Sequence, residues 1–598
     1  MKELLKLGVY TLLGTLLLSA PFAGLGMLST HLVTEKTFWI QLIALFLSAV
    51  SLQGLWLNPS KGLCPWTYVD ILPLSLLGLI LLSYPYSIHP EPEKLLFIGQ
   101  MVVLWYLLRQ VFHEYPVLIG YFSMFFIATG LIEAIWGFRQ LQGWAYSNHS
   151  LFRLTGSFFN PGPYSGYLAI TLPVALGILL EQSKRNMPYY LSMGCIGTAI
   201  VVLPAGMSRS AWIAVVVSCA LYRLDRKQAA TRLRQHKRWY IIGGILGGIL
   251  LLGGSASLYT LKKDSADGRF LMWKITTKAI QKQPITGTSL GGFPAAYAET
   301  QAEYMASGKA TEQEKLVAGC PEYAFNEYLQ IGLEQGLVGL ALFIGWLGLL
   351  FYKGIKNKRY ACCGGLMSLA IFAFSSYPLQ LPEFWVVLIF LGVMSVTPDK
   401  DEIRENQAES NGHRWGKQIF FMGIAILGIG LFWMQKDHYK AYQQWNKAQM
   451  FYNNKAYEAA LEVYEPLYPL LKHKPEFLFE VAQCLSKTGR YEKANGYLER
   501  AVLLSSDPML YYVMAKNEQC LGEYRQAEKH LLHAIDILPE RIYPYYLLMN
   551  LYTEPSYFQP AKLKKAIDSV LTKKPKVESS AIKEMKEKAR SMLNNTSI

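Results

Sequence analysis

The chain has 598 residues, of which 52% are hydrophobic and 17% charged, and its formal net charge is +15 at pH 7. It is too apolar for a soluble protein and too charged to lie in a membrane throughout, so a membrane part and a soluble part are expected. The basic residues concentrate in short loops between apolar runs, which explains the charge without nucleic acid as a partner.

Apolar windows of about 20 residues predict the membrane part. The first runs from Leu12 to Leu28, and because another apolar run starts at Phe38 we interpret it as an uncleaved span rather than a signal peptide. The other windows lie near 38–57, 66–84, 95–112, 116–138, 162–181, 189–204, 210–222, 239–259, 327–352, 361–377, 383–397 and 417–434. Since several are short, twelve or thirteen spans are predicted.

Loop charges predict the orientation of these spans. Short loops rich in lysine and arginine remain on the cytoplasmic side. With the N-terminus inside, the basic loops at 184–185, 223–238 and 353–359 are cytoplasmic. The same count places the long polar loop 260–325 outside, together with the tail after 435.

The eight cysteines show no metal-ligand spacing. We interpret five of them as small core residues, namely Cys64, Cys195, Cys219, Cys362 and Cys363. The other three, which are Cys320, Cys484 and Cys520, are predicted to face an oxidising compartment, but their spacing assigns no disulfide.

Three arginines are predicted on the outer side of the membrane: Arg153 before the sixth span, Arg209 between two short spans, and Arg269 in the long loop. A guanidinium stays charged and matches two phosphate oxygens at once, so three arginines converging on one surface would suit a pyrophosphate. Each segment also has a purely structural interpretation. The Arg209 side chain could extend to the membrane interface, and Asn160-Pro161-Gly162 after Arg153 could be an ordinary turn.

The long loop contains a predicted helix after Arg269. One face carries Phe270, Trp273, Thr277 and Ile280, and another carries Lys274, Lys278 and Lys282. The lysine face could lie on anionic headgroups or simply face solvent. The glycine-rich stretch 287–293 lacks the Gly-Lys-Ser/Thr pattern of a nucleotide-binding loop.

Acidic and amide residues mark the entry to the next span. Glu327 and Glu334 are seven residues apart, hence on one helix face about 10 Å apart. An acid inside a membrane helix is either functional or the partner of an arginine, and for Glu334 we favour the arginine partner. Glu133 in the fifth span has the same two interpretations.

A repeat of 33 to 34 residues appears after Lys436. Tyr457 and Ala460 recur as Tyr491 with Ala494 and as Tyr524 with Ala527, and prolines punctuate the unit ends. This pattern is similar to tetratricopeptide repeats, in which each unit is a helical hairpin and stacking buries a continuous core. Such an array binds a peptide or is purely architectural.

The ordered motifs resemble the bacterial O-antigen ligase and polymerase superfamily, which includes protein O-oligosaccharyltransferases. They are Arg153-x-x-Gly156-Ser157-Phe158, Asn160-Pro161, Ser208-Arg209-Ser210, Arg269 with Trp273, Pro284 with Gly287 and Gly291, Asn326, and Glu334-x-Gly336-x-x-Gly339. The resemblance covers roughly residues 120–400.

The resemblance implies a GT-C-like, polytopic all-α membrane bundle in the bacterial inner membrane, with the long loop and the tail in the periplasm. It also implies a glycosyltransferase that needs no metal or cofactor and uses an undecaprenyl-pyrophosphate-linked glycan as donor. Arg209 and Arg269 would hold the pyrophosphate. Candidate substrate-binding residues are Arg153, Asn160, Trp273, Asn326 and Glu334.

The chain departs from the family pattern at Phe325, where ligases have the histidine considered the general base. Glu327, Glu322 or His149 could take its place if burial made a carboxylate more basic, and we favour Glu327 because it is nearest. The base could also matter less than donor activation, or activity could be lost.

We therefore predict a membrane domain at 1–435 and a tetratricopeptide-repeat domain at 436–598. The predicted function is glycan transfer to an acceptor that is lipid A core, a protein or another glycan. The repeat domain could recruit the acceptor or a protein partner. A repeat-unit polymerase and a non-catalytic scaffold for envelope-glycan assembly are the alternatives. A flippase fits less well because the polar residues concentrate on one outer loop.

Overall fold

The computed structural model describes residues 2–24, 32–57, 63–87, 90–182, 185–221, 263–398, 414–575 and 578–595. Within these ranges the regular structure is helical and contains no strand, which confirms the all-α prediction. The α-helices are α1 (Lys2–Leu18), α2 (Leu32–Leu57), α3 (Tyr68–Ser83), α4 (Pro92–Glu114), α5 (Val117–Leu141), α6 (Pro161–Glu181), α7 (Met187–Val202), α8 (Arg209–Leu221), α9 (Lys263–Lys282), α10 (Phe293–Ala306), α11 (Glu312–Val317), α12 (Glu327–Lys356), α13 (Tyr360–Ala373), α14 (Pro382–Val396), α15 (Arg414–Asn453), α16 (Tyr457–Tyr464), α17 (Tyr468–Leu471), α18 (Pro475–Lys487), α19 (Tyr491–Val502), α20 (Met509–Leu521), α21 (Tyr524–Ile537), α22 (Ile542–Tyr552), α23 (Pro560–Thr572) and α24 (Ser580–Asn595).

The membrane part is a bundle of apolar helices. Among the described residues, eight helices are long and apolar enough to cross a membrane, namely α2 to α7, α12 and α15. The shorter apolar helices α8, α13 and α14 accompany them. The chain is therefore a multi-pass membrane protein. The window 239–259 lies outside the described residues, and the first helix begins at Lys2 rather than near the predicted Leu12.

The centre of the bundle is formed by α6 and α14, which are apolar on all sides and therefore buried. Helix α6 packs against α5, α7, α8 and α13. Gly166 of α6 makes this approach possible, because a Cβ there would lie 2.2 Å from the Phe372 ring. Cys195, Cys362 and Cys363 are buried among these helices and Cys64 near α4, as predicted, whereas Cys219 is half-buried.

Helix α12 is broken at Gly336, which has φ 67° and ψ −178°. The segment 284–293 fills the break with backbone hydrogen bonds. The Leu337 N–H donates to Pro284 O at 2.8 Å, and the Thr288 N–H donates to Leu333 O at 2.8 Å. The groups that the interrupted helix leaves unpaired are thus satisfied by the loop.

The segment 263–325 folds as α9, α10 and α11 around its own apolar cluster. Leu271, Ile275 and Phe293 are buried there together with Ile537 and Leu538 of the repeat domain. The buried face of α9 is therefore Leu271, Ile275 and Ala279, whereas Phe270 of the predicted apolar face is exposed.

The lysine face of α9 contacts this segment's own side chains. Lys274 forms an ion pair with Glu314 at 2.7 Å, and Lys282 forms one with Glu303 at 2.7 Å. Lys278 lies over the Tyr304 ring at 5.5 Å. All three lysines are exposed, so the second expectation, that this face simply faces solvent, is confirmed, and its cations also contact neighbouring side chains.

The repeat domain has the predicted hairpins. Helices begin at Tyr457, Tyr491 and Tyr524, and the three alanines that follow are fully buried. Gly489 and Gly522 have positive φ of 78° and 80° in the turns between paired helices, where glycine is favoured. The sequence period and the structural period therefore coincide.

A single helix joins the membrane part to the repeats. Helix α15 contains an apolar, membrane-length segment and continues to Asn453 without interruption. Its Trp445 is buried against Phe477, with ring centroids 5.6 Å apart. The predicted division at 435/436 therefore falls inside this helix.

Candidate active site

Two arginines that are sixty residues apart in sequence lie within electrostatic range of each other, and one of them, Arg269, bonds to the link between α13 and α14. Arg209 is the first residue of α8 and follows Met207, which adopts a left-handed conformation with φ 48°. Arg269 lies in the second turn of α9. Its Nη1 donates to the Ser375 carbonyl at 2.9 Å, which fixes the direction of the guanidinium.

The two guanidinium groups are close enough to repel each other. Burial and the positive charge of Arg209 lower the pKa of Arg269, while Tyr377 acts in the opposite direction. Arg109 forms an ion pair with Asp70 and Arg490 one with Glu458, whereas neither Arg209 nor Arg269 pairs with a carboxylate among the described residues. The charges of Arg209 and Arg269 are therefore available to an anion.

Phe325 forms an aromatic wall beside Arg269. The guanidinium carbon lies 5.3 Å from the centroid of the Phe325 ring, within the range of a cation–π contact. The Tyr377 ring meets Phe325 edge-on at 4.8 Å. Burial raises the pKa of Tyr377 to about 12, although the Arg269 charge opposes the rise, so its phenol remains a hydrogen-bond donor at neutral pH.

Glu327 is on the other side of the same link. It is 1% exposed, and its two carboxylate oxygens accept hydrogen bonds from the Leu379 N–H at 2.6 Å and the Gln380 amide at 2.9 Å. The link 374–381 is thus held by Arg269 through Ser375, by Phe325 through Tyr377 and by Glu327 through Leu379.

Glu334 pairs with a lysine, so the predicted arginine partner is wrong. Its Oε2 lies 3.5 Å from Lys94 Nζ, and its Oε1 accepts a hydrogen bond from the Gln330 amide at 2.7 Å. Glu334 is buried and Lys94 half-buried, and Lys94 comes from α4, 240 residues earlier in the chain. An ion pair with an additional hydrogen bond is the usual way to accommodate an acid within an apolar helix bundle.

Two predicted substrate-binding asparagines cap helices. The Asn160 side chain accepts from the Gly162 N–H at 3.0 Å at the start of α6. The Asn326 side chain accepts from the Tyr328 and Leu329 N–H groups at 3.0 and 3.1 Å at the start of α12. Asparagine is among the preferred N-cap residues, so both positions have a structural explanation.

Trp273 and Arg153 differ in their surroundings. Trp273 packs against Phe374 with ring centroids 5.5 Å apart, and its buried Nε1 has no hydrogen-bond partner among the described residues. Arg153 is exposed in the link before α6. The electrostatic contact described above joins Arg209 and Arg269 and does not include Arg153, so the predicted convergence holds for two of the three arginines.

The motif that follows Arg153 is fastened to α5. The Ser157 hydroxyl and N–H both donate to Glu133, the latter at 3.1 Å. Gly156 has φ 56°, and a Cβ there would lie 2.2 Å from the Glu133 carboxylate. Glu133 thus accepts hydrogen bonds from Ser157, which is a structural role, and Gly156 adopts a backbone conformation that favours glycine.

The other two candidate bases lie elsewhere. His149 Nδ1 accepts from the Leu151 N–H at 3.0 Å, and the ring packs on Phe152. Glu322 is exposed and lines a cavity of about 910 Å³ between the 263–325 segment and the repeats. Neither has a described contact with Arg209 or Arg269.

The structure adds residues that sequence reasoning missed. Lys94 and Tyr377 belong to the site, and a buried pair links Lys36 with Glu383 at 3.0 Å behind Ser157. Lys94 lies at the edge of an apolar window, near the start of α4. Because an intramembrane acid needs a cationic partner, this position could have identified Lys94 from the sequence. Tyr377 had no such signal.

This arrangement defines a polytopic, all-α membrane protein with two neighbouring arginines, one of them bonded to a helix link, and helical repeats toward its C-terminus. The family model described as O-antigen ligase matches residues 194–344, and the model described as anaphase-promoting complex, cyclosome, subunit 3 matches residues 453–534. No curated protein matches the chain.

The matches confirm the resemblance to the O-antigen ligase superfamily and the tetratricopeptide-like character of the C-terminal helices. The ligase match includes Arg209, Arg269, Asn326, Glu327 and Glu334. It supports a glycan-transferring membrane enzyme of the ligase or polymerase type at the family level. Arg153 and Asn160 lie before the matched stretch.

Proposed function

We propose that this protein transfers a preassembled glycan from undecaprenyl pyrophosphate to an acceptor hydroxyl on the periplasmic face of the inner membrane. The observation that carries the proposal is the convergence of Arg209 and Arg269, whose like charges repel each other and lack a described carboxylate partner. A protein keeps two such groups together at a cost in stability, and an anionic ligand reverses that cost.

In this reaction the acceptor oxygen attacks the anomeric carbon of the glycan. The bond from that carbon to the pyrophosphate oxygen breaks, and the carrier pyrophosphate leaves with the bonding electrons. Negative charge grows on the leaving group in the transition state, so guanidinium groups placed there lower the barrier. The protonated Tyr377 phenol adds a donor beside Arg269.

The proton of the acceptor hydroxyl needs a base. Glu327 stays our candidate because it adjoins Phe325, the position of the family's histidine. Its carboxylate is already engaged with the 379–380 backbone and side chain. A second role, that of positioning the link behind Tyr377 and Ser375, is equally consistent with this geometry.

The test is glycan transfer in a deletion strain complemented with Arg209→Ala, Arg269→Ala, the two Lys variants and the control Arg525→Ala, which alters an exposed arginine of the repeats. Loss of either site arginine should lower transfer by roughly 10²–10³, the effect of removing one group that stabilises developing charge. Lysine should restore part of it, because it keeps the charge without the planar fork.

Membrane levels of each variant are measured by immunoblot alongside mass spectrometry of lipopolysaccharide and envelope proteins. Normal transfer by either Ala variant at normal protein level would contradict the proposal and favour a scaffold. An uncapped acceptor with unchanged glycan ladders is the expected phenotype. Ladders that collapse to single units would assign a polymerase instead.

A further inference from the structure

Three metal-ligating side chains meet where the membrane bundle joins the repeats, away from the paired arginines. Glu93 comes from the first turn of α4, His438 from α15 and His473 from the link before α18. Glu93 Oε1 lies 3.0 Å from His438 Nδ1 and 3.2 Å from His473 Nε2. The three ligand atoms all lie within 4.8 Å of one another.

The other carboxylate oxygen of Glu93 is occupied. Oε2 accepts a hydrogen bond from the Tyr442 hydroxyl at 2.6 Å and lies 3.0 Å from Lys474 Nζ. These two groups hold the carboxylate so that Oε1 points at both imidazoles. Outer groups of this kind orient the ligands of protein metal sites.

His473 provides an independent sign of a missing partner. Its Nε2 is buried and lies 3.2 Å from Glu93 Oε1, but it makes no well-oriented hydrogen bond among the described residues. The residue is 7% exposed. An unpaired buried ring nitrogen costs stability, and a metal ion bound through its lone pair would remove that cost.

The spacing agrees with tetrahedral zinc. Zn–N and Zn–O bonds of about 2.0–2.1 Å place neighbouring ligand atoms roughly 3.3 Å apart. The two distances from Glu93 Oε1 are close to this value. A small rotation of one imidazole would shorten the remaining distance, which joins His438 Nδ1 and His473 Nε2. All three residues line a cavity of about 350 Å³, which leaves the fourth position open to water.

We propose that Glu93, His438 and His473 bind a divalent transition-metal ion, with Zn²⁺ the best match to two imidazoles and one carboxylate. The ion would join α4, the membrane-length helix α15 and the second helical hairpin of the repeats. The proposal does not rest on the proposed glycan transfer, although Lys94 and Glu334 line the same cavity. It was not visible in the sequence, because Glu93 is more than 340 residues from His438 and no short motif contains the ligands.

The experiment uses the full chain purified in detergent, stripped with chelator and titrated with Co²⁺ and Zn²⁺. Co²⁺ should give the visible absorption of a tetrahedral ion at one equivalent, and Zn²⁺ should displace it. His438→Gln and His473→Gln keep a polar side chain of similar length and should weaken binding at least about 10–100-fold, the range reported for perturbed metal sites. The wild-type Tm should rise with Zn²⁺, and that of the variants should not.

The matched control is His530→Gln, because His530 also pairs with a glutamate, Glu518, at 2.9 Å but lies outside the three-residue cluster. It should bind metal like the wild type. The proposal is overturned if no equivalent of Co²⁺ binds, or if His438→Gln and His473→Gln bind as tightly as His530→Gln. Circular dichroism of each variant shows that a loss of binding is not a loss of fold.

Discussion

Phe325 occupies the position at which the ligases that this chain resembles have a histidine, and it contacts two side chains of the candidate site. The residue has φ 49°, an unusual conformation for a bulky side chain that costs roughly 1–3 kcal/mol. Its ring lies against the Arg269 guanidinium on one side and Tyr377 on the other. The ring therefore helps to fix the position of the arginine, which is the group that the proposed transfer needs at the leaving pyrophosphate.

Glu327→Gln distinguishes a base from a positioning residue. A glutamine oxygen still accepts the Leu379 N–H, but an amide takes no proton. If Glu327 is the base, kcat should fall by roughly 10²–10⁴. Because Glu327 also holds the link, Glu327→Ala should lower thermal stability as well, whereas Glu327→Gln should change it less.

The measurement is the rate of glycan transfer together with Tm in detergent. A Glu327→Gln variant with nearly normal kcat would contradict the role of base. It would leave Glu327 as a positioning residue whose loss in Glu327→Ala acts through Tyr377 and Ser375. The base would then have to be another group or solvent.

At the scale of one element, the break in α12 connects the membrane bundle with the 284–293 segment. Gly336 and Gly287 face each other's backbone so closely that neither accepts a side chain. A Cβ on Gly336 would lie 1.9 Å from Ile285 O, and one on Gly287 would lie 2.6 Å from the Glu334 backbone. The break also ends the half-helix that carries Glu327 and Glu334.

Gly336→Ala should therefore destabilise the protein by about 2–4 kcal/mol, because it adds strain at positive φ to a backbone clash. The control is Gly348→Ala in the same helix, where a Cβ meets nothing within 4 Å. That change should be neutral or stabilise by up to about 1 kcal/mol. Thermal unfolding in detergent compares the two, and equal Tm values would contradict the docking of the loop.

Sequence periodicity predicted most of the helices but not how they meet. Apolar runs and the Tyr457, Tyr491 and Tyr524 spacing depend on local pattern, so they were predicted correctly. The break at Gly336 depends on Pro284 and Thr288, about 50 residues earlier in the chain.

The sequence did not predict which residues pair with the charged groups of the bundle. The side of the membrane on which the three arginines lie stays a prediction, whereas the partner of Glu334 proved to be Lys94 of α4 rather than an arginine. The pairing depends on how α4 and α12 approach each other, which no single segment encodes. The cap roles of Asn160 and Asn326 were local and could have been predicted from their positions just before a helix.

At the scale of the whole molecule, the repeats and the 263–325 segment pack as neighbours. Helix α10 packs against α21, and Ile537 and Leu538 share the apolar cluster of α9 and α10. The Ser506 hydroxyl also donates to Pro321 O at 3.2 Å. Since α15 is continuous as well, the repeat domain is attached at two places and is adjacent to the loop that carries Arg269.

Gln301 makes a buried polar contact across this interface, so its loss should loosen the attachment of the repeats. Its amide donates to Ile537 O at 2.9 Å and Gly319 O at 3.1 Å, while the Tyr297 hydroxyl donates to its oxygen at 2.7 Å. Gln301→Leu has similar size but leaves these groups buried and unpaired, at about 1–3 kcal/mol each. Hydrogen exchange should therefore quicken in α10 and α21.

The matched control is Gln313→Leu, because Gln313 is exposed and donates to Asp267 at 3.1 Å without touching the repeats. Its exchange should equal that of the wild type. If the attachment keeps Arg269 in place, Gln301→Leu should also lower glycan transfer, although no catalytic group has changed. Faster exchange with normal transfer would show that the repeats are attached to the loop but do not support the arginine site, and unchanged exchange would contradict the interface itself.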